Sequence, residues 1–273
     1  MLMKISVIIT TYNSENWLRK VLIGYCNQTE KDFEIVIADD GSTEKTAQLI
    51  TSFQDKFSYP IVHVWQEDNG FQKCKILNKA IVKANSKYLL FTDGDCIPRK
   101  DFISKHLKFK EKGYFLSGGY FKLPLNTSKL ITDADIQSGN CFNPFWLAKN
   151  GVNKNFKLTK LIRFSLFNSF MNWITPTKKT FNGHNTSCYK EDLIAVNGFN
   201  EDMQYGGLDR EIGERLFNLG ILSKQIRYSA ICIHLDHERG YFNQEEWNKN
   251  LKIREFNIKN KIIKTENGIN QYV

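Results

Sequence analysis

The chain has 273 residues and a formal net charge of +9, and 41% of its residues are hydrophobic and 25% charged. A chain of this length buries roughly three quarters of its unfolded surface, and its composition excludes a disordered protein. No apolar run reaches the roughly 20 residues of a membrane-crossing helix, and lysines interspersed with acids argue against nucleic-acid binding. Six cysteines without a CxxC pair predict reduced thiols in a cytoplasmic protein.

The first half of the sequence alternates predicted strands and helices. Short runs rich in β-branched residues predict four buried strands, which are ISVIIT, FEIVIADD, IVHVW and YLLFTD. Because apolar residues recur at helical spacing between them, we expect right-handed crossovers and a mostly parallel sheet. Ligands bind beyond the carboxyl ends of the strands in such a sheet, so the site is expected among residues 10–13, 39–42 and 93–95.

The second half of the sequence is less regular. We expect a short strand near residues 114–121, a helical insertion from about residue 158 to 173, a loop at 182–187, a helix near Asp209 and a last strand, IRYSAICIHL. After Gln244, the spacing of Trp247, Leu251 and Phe256 predicts a helix packed on the body of the protein. No linker rich in Gly, Ser or Pro separates two domains.

Asp93-Gly94-Asp95, directly after the fourth predicted strand, is the strongest chemical signal. A hydrogen-bonded turn is one use of this pattern. The other is a metal site, because hard oxygen ligands suit Mg²⁺ or Mn²⁺. A metal held there can bridge the two phosphates of a nucleotide diphosphate and stabilise it as it leaves.

A second signal, His234-Leu235-Asp236-His237, ends the last predicted strand. Histidines at i and i+3 can reach one cation, although one of two neighbouring histidines is more often a surface or core residue. Together with the Asp93–Asp95 pair, the histidines predict a metal site. Imidazole ligands favour Mn²⁺ over Mg²⁺ there.

Two weaker motifs each leave two interpretations open. Asp39-Asp40-Gly41-Ser42 is either an Asx turn or places Asp39 to accept a hydrogen bond from a pyrimidine base. In Gly206-Gly207-Leu208-Asp209, the glycines allow close approach of a substrate. Asp209 is there either a helix N-cap or a general base for an acceptor hydroxyl.

Residues 136–190 contain no Asp or Glu but many lysines and aromatic residues, and LIRFSLFNSFMNWI lies among them. An exposed aromatic face with basic neighbours attracts anionic lipid headgroups or phosphorylated acceptors. The alternative is a buried helix with basic flanks. We therefore expect either a cytoplasmic protein or one peripheral on the inner face of the membrane.

The ordered motifs VIITTYN, IVIADDGS, NGFQKCKILNKA, FTDGDC, NGHNTSCYKEDLIAVNGFNE, YGGLDREIGERL and IHLDH resemble the family 2 inverting glycosyltransferases of GT-A fold. The closer likeness is to the catalytic domains of bacterial chondroitin polymerase and to the β-1,4-galactosyltransferases. It implies a GT-A domain over residues 1–244, with a nucleotide-binding half over about 1–98 and an acceptor-binding half over about 99–244. An insertion over about 125–180 and a helical tail over 245–273 complete the expected organisation.

The resemblance also implies a role for each matching residue. Asp209 corresponds to the catalytic base, and Leu208 stands where the family usually has a Glu that is associated with sugar binding. The donor-binding positions are Thr10, Tyr12, Asn13, Asp39 (for uracil), Asp93 and Gly94. The metal-binding positions are Asp95, His234 and His237, and the acceptor- or sugar-binding positions are Asn185, Gly207 and Leu208.

We therefore expect metal-assisted single displacement of a hexose or N-acetylhexosamine from a UDP-sugar to a hydroxyl of a glycan or lipid-linked glycan. The setting implied is assembly of a cell-surface polysaccharide or lipopolysaccharide. One alternative, a UDP-sugar-binding protein without transfer activity, is encouraged by Leu208. Another, a sugar nucleotidyltransferase, would need a glycine-rich loop that TTYNSEN lacks. A Rossmann dehydrogenase is excluded because no GxGxxG follows a strand.

Overall fold

The computed structural model describes residues 3–54, 56–237 and 243–273. All four predicted strands of the first half are confirmed, as β1 (Ile5–Thr11), β2 (Phe33–Asp39), β3 (Ile61–Trp65) and β4 (Tyr88–Asp93). The helices between them are α1 (Glu15–Cys26), α2 (Glu44–Gln54) and α3 (Lys73–Lys83). These strands lie parallel in the order β3-β2-β1-β4, so their carboxyl ends meet at one edge of the sheet.

The remaining strands extend this sheet and form a second, smaller one. They are β5 (Cys96–Pro98), β6 (Tyr114–Ser117), β7 (Gly119–Lys122), β8 (Thr186–Tyr189), β9 (Leu222–Gln225) and β10 (Ile231–His234). The larger sheet has the order β3-β2-β1-β4-β8-β6-β9, in which β8 is antiparallel to both of its neighbours. The smaller sheet has the order β5-β10-β7. It brings the end of β10 beside the Asp93–Asp95 turn.

Helices of the second half flank these sheets. They are α4 (Phe102–Phe109), α5 (Leu125–Leu130), α6 (Asp133–Ser138), α7 (Pro144–Lys149), α8 (Ser165–Ile174), α9 (Lys190–Ala195), α10 (Leu208–Asn218) and α11 (Gln244–Lys259). Short 3₁₀ turns cover Asn140–Phe142, Phe156–Leu161 and Ile269–Gln271. The expected helical insertion is therefore two separate pieces, the 3₁₀ turn Phe156–Leu161 and helix α8.

Three boundaries in the second half differ from expectation because tertiary contacts interrupt the local pattern. The strand expected over 114–121 is two strands in two sheets, and the break falls at Gly118, where a Cβ would lie 2.0 Å from Asn185 Oδ1. The loop expected over 182–187 already becomes strand β8 at Thr186. The last strand begins only at Ile231, since Ser229 and Ala230 donate their N–H groups to Ile226 O in a turn.

Two apolar cores cover the opposite faces of the large sheet. On β1, Ile5, Val7 and Ile9 are fully buried in one core, and Ile8 is fully buried in the other. Burial on both faces is typical of parallel strands covered by helices, and it explains why these strands are continuous apolar runs.

Helix α11 is confirmed, and it contacts the body through Ile253 against the apolar core, through the Trp247 ring over Gly206 and through buried polar side chains. Leu251 and Phe256 are 42% and 60% exposed, so their predicted packing on the body is wrong. The buried positions are Asn250, whose Nδ2 donates to the carbonyl groups of residues 204–206, and Asn257. Hydrogen-bonded amides have no helical apolar signature, so the hydrophobic pattern could not identify this face.

A fully buried ion pair ties α11 and the loop after α9 to α10. Arg215 donates from Nε to Glu211 Oε1 at 2.6 Å and from Nη2 to Glu211 Oε2 at 2.8 Å. Arg215 also donates to the carbonyl groups of Val196 and Gly198, and Asn257 Nδ2 donates to Glu211 Oε1 at 2.8 Å. Every polar atom of Glu211 is thus matched, which offsets the cost of burying the charges.

We expect Glu211→Ala to destabilise the protein by about 3–5 kcal/mol, because it leaves the Arg215 charge buried without its counter-ion. Urea unfolding followed by circular dichroism measures the change. The control is Asp133→Ala, which removes a half-exposed partner of Arg19 and should cost about 1 kcal/mol or less. Equal effects of the two substitutions would contradict a stabilising role for the buried pair.

Candidate active site

The carboxyl ends of β1 and β4 lie side by side. The parallel register pairs Thr10 with Asp93, and Thr10 Oγ1 donates to Asp93 Oδ1 at 2.7 Å. Gly94 donates its N–H to Thr10 O at 2.8 Å, and a Cβ at Gly94 would lie 2.9 Å from that oxygen. The Asp-Gly-Asp turn therefore fits tightly against β1, and glycine is the residue that permits this approach.

A cavity of about 770 Å³ opens at this edge of the sheet. Nine of the sequence-predicted site residues line it, namely Thr10, Tyr12, Asn13, Asp93, Gly94, Asp95, Asp209, His234 and His237. Other lining residues that the motifs did not identify are Asp40, Lys73, Tyr120, Lys122, His184 and Tyr205. Residues far apart in sequence thus meet at the carboxyl edge of the sheet, as the strand pattern predicted.

Lys73, at the start of α3, is the most important residue that sequence reasoning missed. Its Nζ lies 2.7 Å from Asp93 Oδ1. Burial alone raises the pKa of Asp93, but the ion pair with Lys73 outweighs it and holds that pKa well below its usual range. Burial likewise lowers the pKa of Lys73, whereas attraction by Asp93 and then Asp209 raises it. The signal in the sequence that could have identified Lys73 was its position at the start of the helix that follows β3.

Asp95 and two imidazoles converge on one point. Asp95 Oδ2 lies 3.0 Å from His237 Nε2 and 3.6 Å from His234 Nε2. His234 Nδ1 lies 2.9 Å from the carbonyl oxygen of Leu235. A carbonyl can only accept, so Nδ1 carries the proton and leaves the Nε2 lone pair of a neutral imidazole available to a metal. One carboxylate and two imidazoles form a donor set that fits Mn²⁺.

Cys96 lies beside this cluster, and its Sγ is close to the ligand atoms of Asp95 and His234. Its thiol is fully buried and donates to Asp95 Oδ1 at 3.2 Å. Burial raises the pKa of this thiol well above its ordinary value. In the metal-free site the thiol therefore orients Asp95 by donating to its carboxylate.

Asp209 faces the same cavity from the first turn of α10. Its Oδ1 is buried and has no hydrogen-bond partner among the described residues, while the backbone of Gly183 bonds the carboxylate. Burial raises the pKa of Asp209, and the positive charge of Lys73 opposes this shift only in part. The N-cap of α10 is Gly207, so Asp209 does not cap the helix. A buried carboxylate with a free oxygen in a cavity can accept a proton from a substrate.

Asp39 does not line the cavity, contrary to the prediction. It is fully buried; its Oδ1 accepts a hydrogen bond from the Ser42 N–H at 2.8 Å, and its Oδ2 lies 2.8 Å from His63 Nε2. The adjacent Asp40 lines the cavity instead. It accepts from Gln66 Nε2 at 2.6 Å and from the Gln72 N–H at 2.9 Å. The prediction selected the wrong one of two neighbouring aspartates, because the side chains of adjacent residues at a strand end point in different directions.

Asn185 is also a structural residue, not part of the cavity lining. Its fully buried amide donates to Gly119 O at 2.7 Å and Ala230 O at 3.1 Å, and its Oδ1 lies 2.8 Å from His106 Nε2. The preceding residue, His184, lines the cavity. Burial lowers the pKa of His184 to about 4 even though Asp93 opposes the shift, so this imidazole is neutral at pH 7.

The two glycines before α10 were expected to allow close approach of a substrate. In the structure they lie against side chains of α11. Gly206 has a φ of +114°, and a Cβ there would lie 2.5 Å from the Trp247 ring. Gly207 has a φ of +76° and lies against Arg254. Leu208 is buried in the apolar core. Neither Gly207 nor Leu208 is among the residues that line the cavity, so their place at a sugar site stays a prediction.

A parallel sheet whose carboxyl edge presents these carboxylates and imidazoles to one large cavity defines a glycosyltransferase of GT-A fold. The chain belongs to glycosyl transferase family 2, whose family model matches residues 6–172. A second family model, the N-terminal domain of galactosyltransferase, matches residues 163–238. Both assignments confirm the resemblance found in the sequence motifs.

Similar proteins include the chondroitin synthase of Escherichia coli, which is 27% identical over 84% of this chain. The chain spans 34% of the length of that relative. Among solved structures, residues 1–349 of S. aureus TarS in complex with UDP-GlcNAc superpose with a TM-score of 0.63 at 17% identity, over 98% of this chain and 69% of that one.

A complex of GalNAc-T7 with UDP, GalNAc and Mn²⁺ superposes with a TM-score of 0.62 at 14% identity, over 93% of this chain and 48% of that one. These superpositions confirm the GT-A fold. Within the described residues, no helix is both long enough and apolar enough to cross a membrane.

We expect Asp95→Ala to lower the Mn²⁺-dependent affinity for UDP by at least about tenfold, because it removes the carboxylate of the donor set. Calorimetry with UDP and Mn²⁺ measures the affinity, and electron paramagnetic resonance measures binding of Mn²⁺ alone. The control Asp133→Asn changes a half-exposed carboxylate that pairs with Arg19 and is not among the cavity-lining residues, so it should retain both. Wild-type affinity in Asp95→Ala would overturn the metal assignment.

Proposed function

We propose that this protein transfers a hexose or N-acetylhexosamine from a UDP-sugar to a glycan hydroxyl with inversion at the anomeric carbon. The observation that carries the proposal is the meeting of Asp93, Asp95 and Asp209 at one cavity, with an oxygen of Asp209 unpartnered. Membership of family 2 supports sugar transfer, and the likeness to a chondroitin synthase supports assembly of a cell-surface polysaccharide or lipopolysaccharide.

The donor would lie across the carboxyl ends of β1, β2 and β4. Thr10, Tyr12 and Asn13 line that part of the cavity, and Asp40 replaces Asp39 as the candidate partner of the uracil base. UDP in the complexes of TarS and GalNAc-T7 supports a uridine donor.

Asp95, His234 and His237 would hold a Mn²⁺ or Mg²⁺ ion, which neutralises the diphosphate as it leaves. Lys73 adds a second, permanent positive charge at the same edge through its ion pair with Asp93. The Mn²⁺ in the GalNAc-T7 complex supports this choice of metal.

Asp209 would act as the general base. Its carboxylate would take the proton of the acceptor hydroxyl while that hydroxyl oxygen forms a bond to the anomeric carbon. The bond from that carbon to the UDP oxygen breaks on the opposite face, and one displacement inverts the configuration. Positioning of the reactants and neutralisation of the leaving group supply much of the rate.

The alternative of a UDP-sugar-binding protein without transfer activity loses its main motivation. Leu208 suggested it, because that residue stands where the family usually has Glu. Leu208 packs in the apolar core and does not contribute to the cavity lining. The departure at this position therefore leaves the base and the proposed metal ligands intact.

We expect Asp209→Asn to reduce transfer by about 10²- to 10⁴-fold, as loss of a general base does, with unchanged affinity for UDP. Release of UDP in the presence of acceptor measures transfer, and calorimetry measures donor affinity. Asp202→Asn, an exposed residue near the same helix, is the matched control. Near-wild-type transfer by Asp209→Asn would overturn its assignment as the base.

The raised pKa of Asp209 also sets the direction in which the rate of transfer should change with pH. The base must be ionised, so transfer falls as pH falls through its pKa. Because burial raises that pKa, the acid limb of kcat/KM should lie at higher pH than an ordinary aspartate would give, and it should disappear in Asp209→Asn.

We further propose that an exposed face of the insertion binds an anionic membrane surface. On α8, Leu166 is 74%, Phe170 52% and Trp173 81% exposed, and their spacing puts them on one side of the helix. The competing interpretation, that these aromatic residues form core, therefore fails for α8. Arg163 and Lys179 are exposed beside this face, and each adds about 1 kcal/mol against an anionic leaflet.

We expect the wild-type protein to sediment with anionic phosphatidylserine vesicles at low salt, where surface charges are least screened. Phe170→Ser/Trp173→Ser should release it, because the apolar anchor is lost. The control Leu222→Ser removes an exposed apolar residue from β9 and should still sediment. Absence of wild-type binding to the vesicles would exclude a membrane-binding face.

A further inference from the structure

A second cavity of about 620 Å³ adjoins the first, and Tyr120 and His184 line both. We call it the basic cavity. Its walls come from the β6–β7 junction, the 3₁₀ turn before α8, the segment after α8, and helices α10 and α11. Its charged lining residues are Lys160, Lys178, Arg210, Glu214, Arg227 and Arg254.

Positive charge in the basic cavity exceeds negative charge, with five cationic side chains and one carboxylate in its lining. That carboxylate, Glu214, is already paired with Arg254, whose Nε lies 3.1 Å from Glu214 Oε2. Within the part of the chain that the structure describes, none of the other four cations forms an ion pair. The net charge of the lining is therefore uncompensated.

Lys160 and Arg227 are two partly buried cations in the lining of the basic cavity. Burial lowers the pKa of Lys160, and the neighbouring positive charge of Arg227 lowers it further. Arg227 donates from Nη2 to Lys178 O at 3.1 Å, but its buried Nε has no partner among the described residues. Two like charges and an unused donor in a half-buried site are unfavourable unless an anion binds between them.

The basic cavity lies where an acceptor would extend. Arg210 follows Asp209 directly in the chain, and His184 adjoins Gly183, whose backbone bonds the Asp209 carboxylate. An acceptor with its hydroxyl at Asp209 would therefore pass Tyr120 and His184, which line both cavities, and reach Lys160 and Arg227. The nucleotide sugar of the proposed reaction would fill the first cavity.

We propose that the basic cavity binds an anionic group of the acceptor, a carboxylate or a phosphate, close to the reacting hydroxyl. This inference rests on the proposed transferase function and adds the chemical class of the acceptor. A guanidinium donates paired hydrogen bonds that match the oxygens of either anion. The carboxylate would come from a uronic acid unit, and the phosphate from the diphosphate of a lipid-linked sugar.

Two pairs of probes distinguish these sources, and calorimetry measures their binding to protein carrying UDP and Mn²⁺. The first pair is a tetrasaccharide of alternating glucuronic acid and N-acetylgalactosamine and its carboxyl-reduced, neutral form. The second pair is decyl diphospho-N-acetylglucosamine and decyl N-acetylglucosaminide. We expect the anionic member of one pair to bind at least about tenfold more tightly at low salt, as charge-assisted hydrogen bonds provide.

Lys160→Met and Arg227→Met should each remove most of that difference while they retain UDP affinity. The matched control is Lys157→Met, since Lys157 lies on the same 3₁₀ turn but is exposed and is not among the lining residues. Equal binding of anionic and neutral members in both pairs would overturn the inference, as would an unchanged difference in Lys160→Met and Arg227→Met. Binding is measured without transfer, so failure of Asp209→Asn to lose activity would count against the proposed reaction and not against this subsite.

Discussion

The site depends on how negative charge is balanced at a buried edge of the sheet. Asp93, Asp95 and Asp209 face one cavity, and burial of several carboxylates is unfavourable unless cations compensate them. The ion pair between Lys73 and Asp93 supplies part of this compensation. Its attraction holds the pKa of Asp93 well below the usual range, so Asp93 stays ionised close to Asp209.

The need to balance buried negative charge also explains why the smaller sheet is important to the site. Strand β10 runs antiparallel to β5, so His234 lies opposite Cys96, and both histidines reach Asp95 from the second half of the chain. The thiol of Cys96 and the carbonyl of Leu235 then orient the carboxylate and one imidazole. The first and second halves of the chain are therefore joined through these polar and charged groups, not only through the apolar cores.

The two adjoining cavities differ in sign. The donor side carries carboxylates that favour cations, whereas the basic cavity carries excess positive charge, and Tyr120 and His184 lie between them. His184 is neutral at pH 7 because burial lowers its pKa.

The sequence by itself determined the parallel sheet, its order of strands and helices, and the edge at which Thr10, Asp93 and Asp95 meet. Asp209, on helix α10, was expected at that edge only from the family resemblance. Continuous apolar runs have one stable arrangement, and polar residues at their carboxyl ends follow from it. Tertiary structure alone decided which neighbour at a turn faces the cavity. His63 and Ser42 hold Asp39 in the interior and leave Asp40 at the cavity, and backbone carbonyls of the second half hold Asn185 and leave His184 there. His63, Gly119 and Ala230 lie far away in sequence from the residues that they hold, so no local pattern carries those contacts. The bond from the Ser42 N–H is different, because it is the local Asx turn that the sequence offered as one interpretation. The exposure of Phe170 and Trp173 was likewise undecided by composition, because an apolar helix face has the same sequence whether protein or another surface covers it.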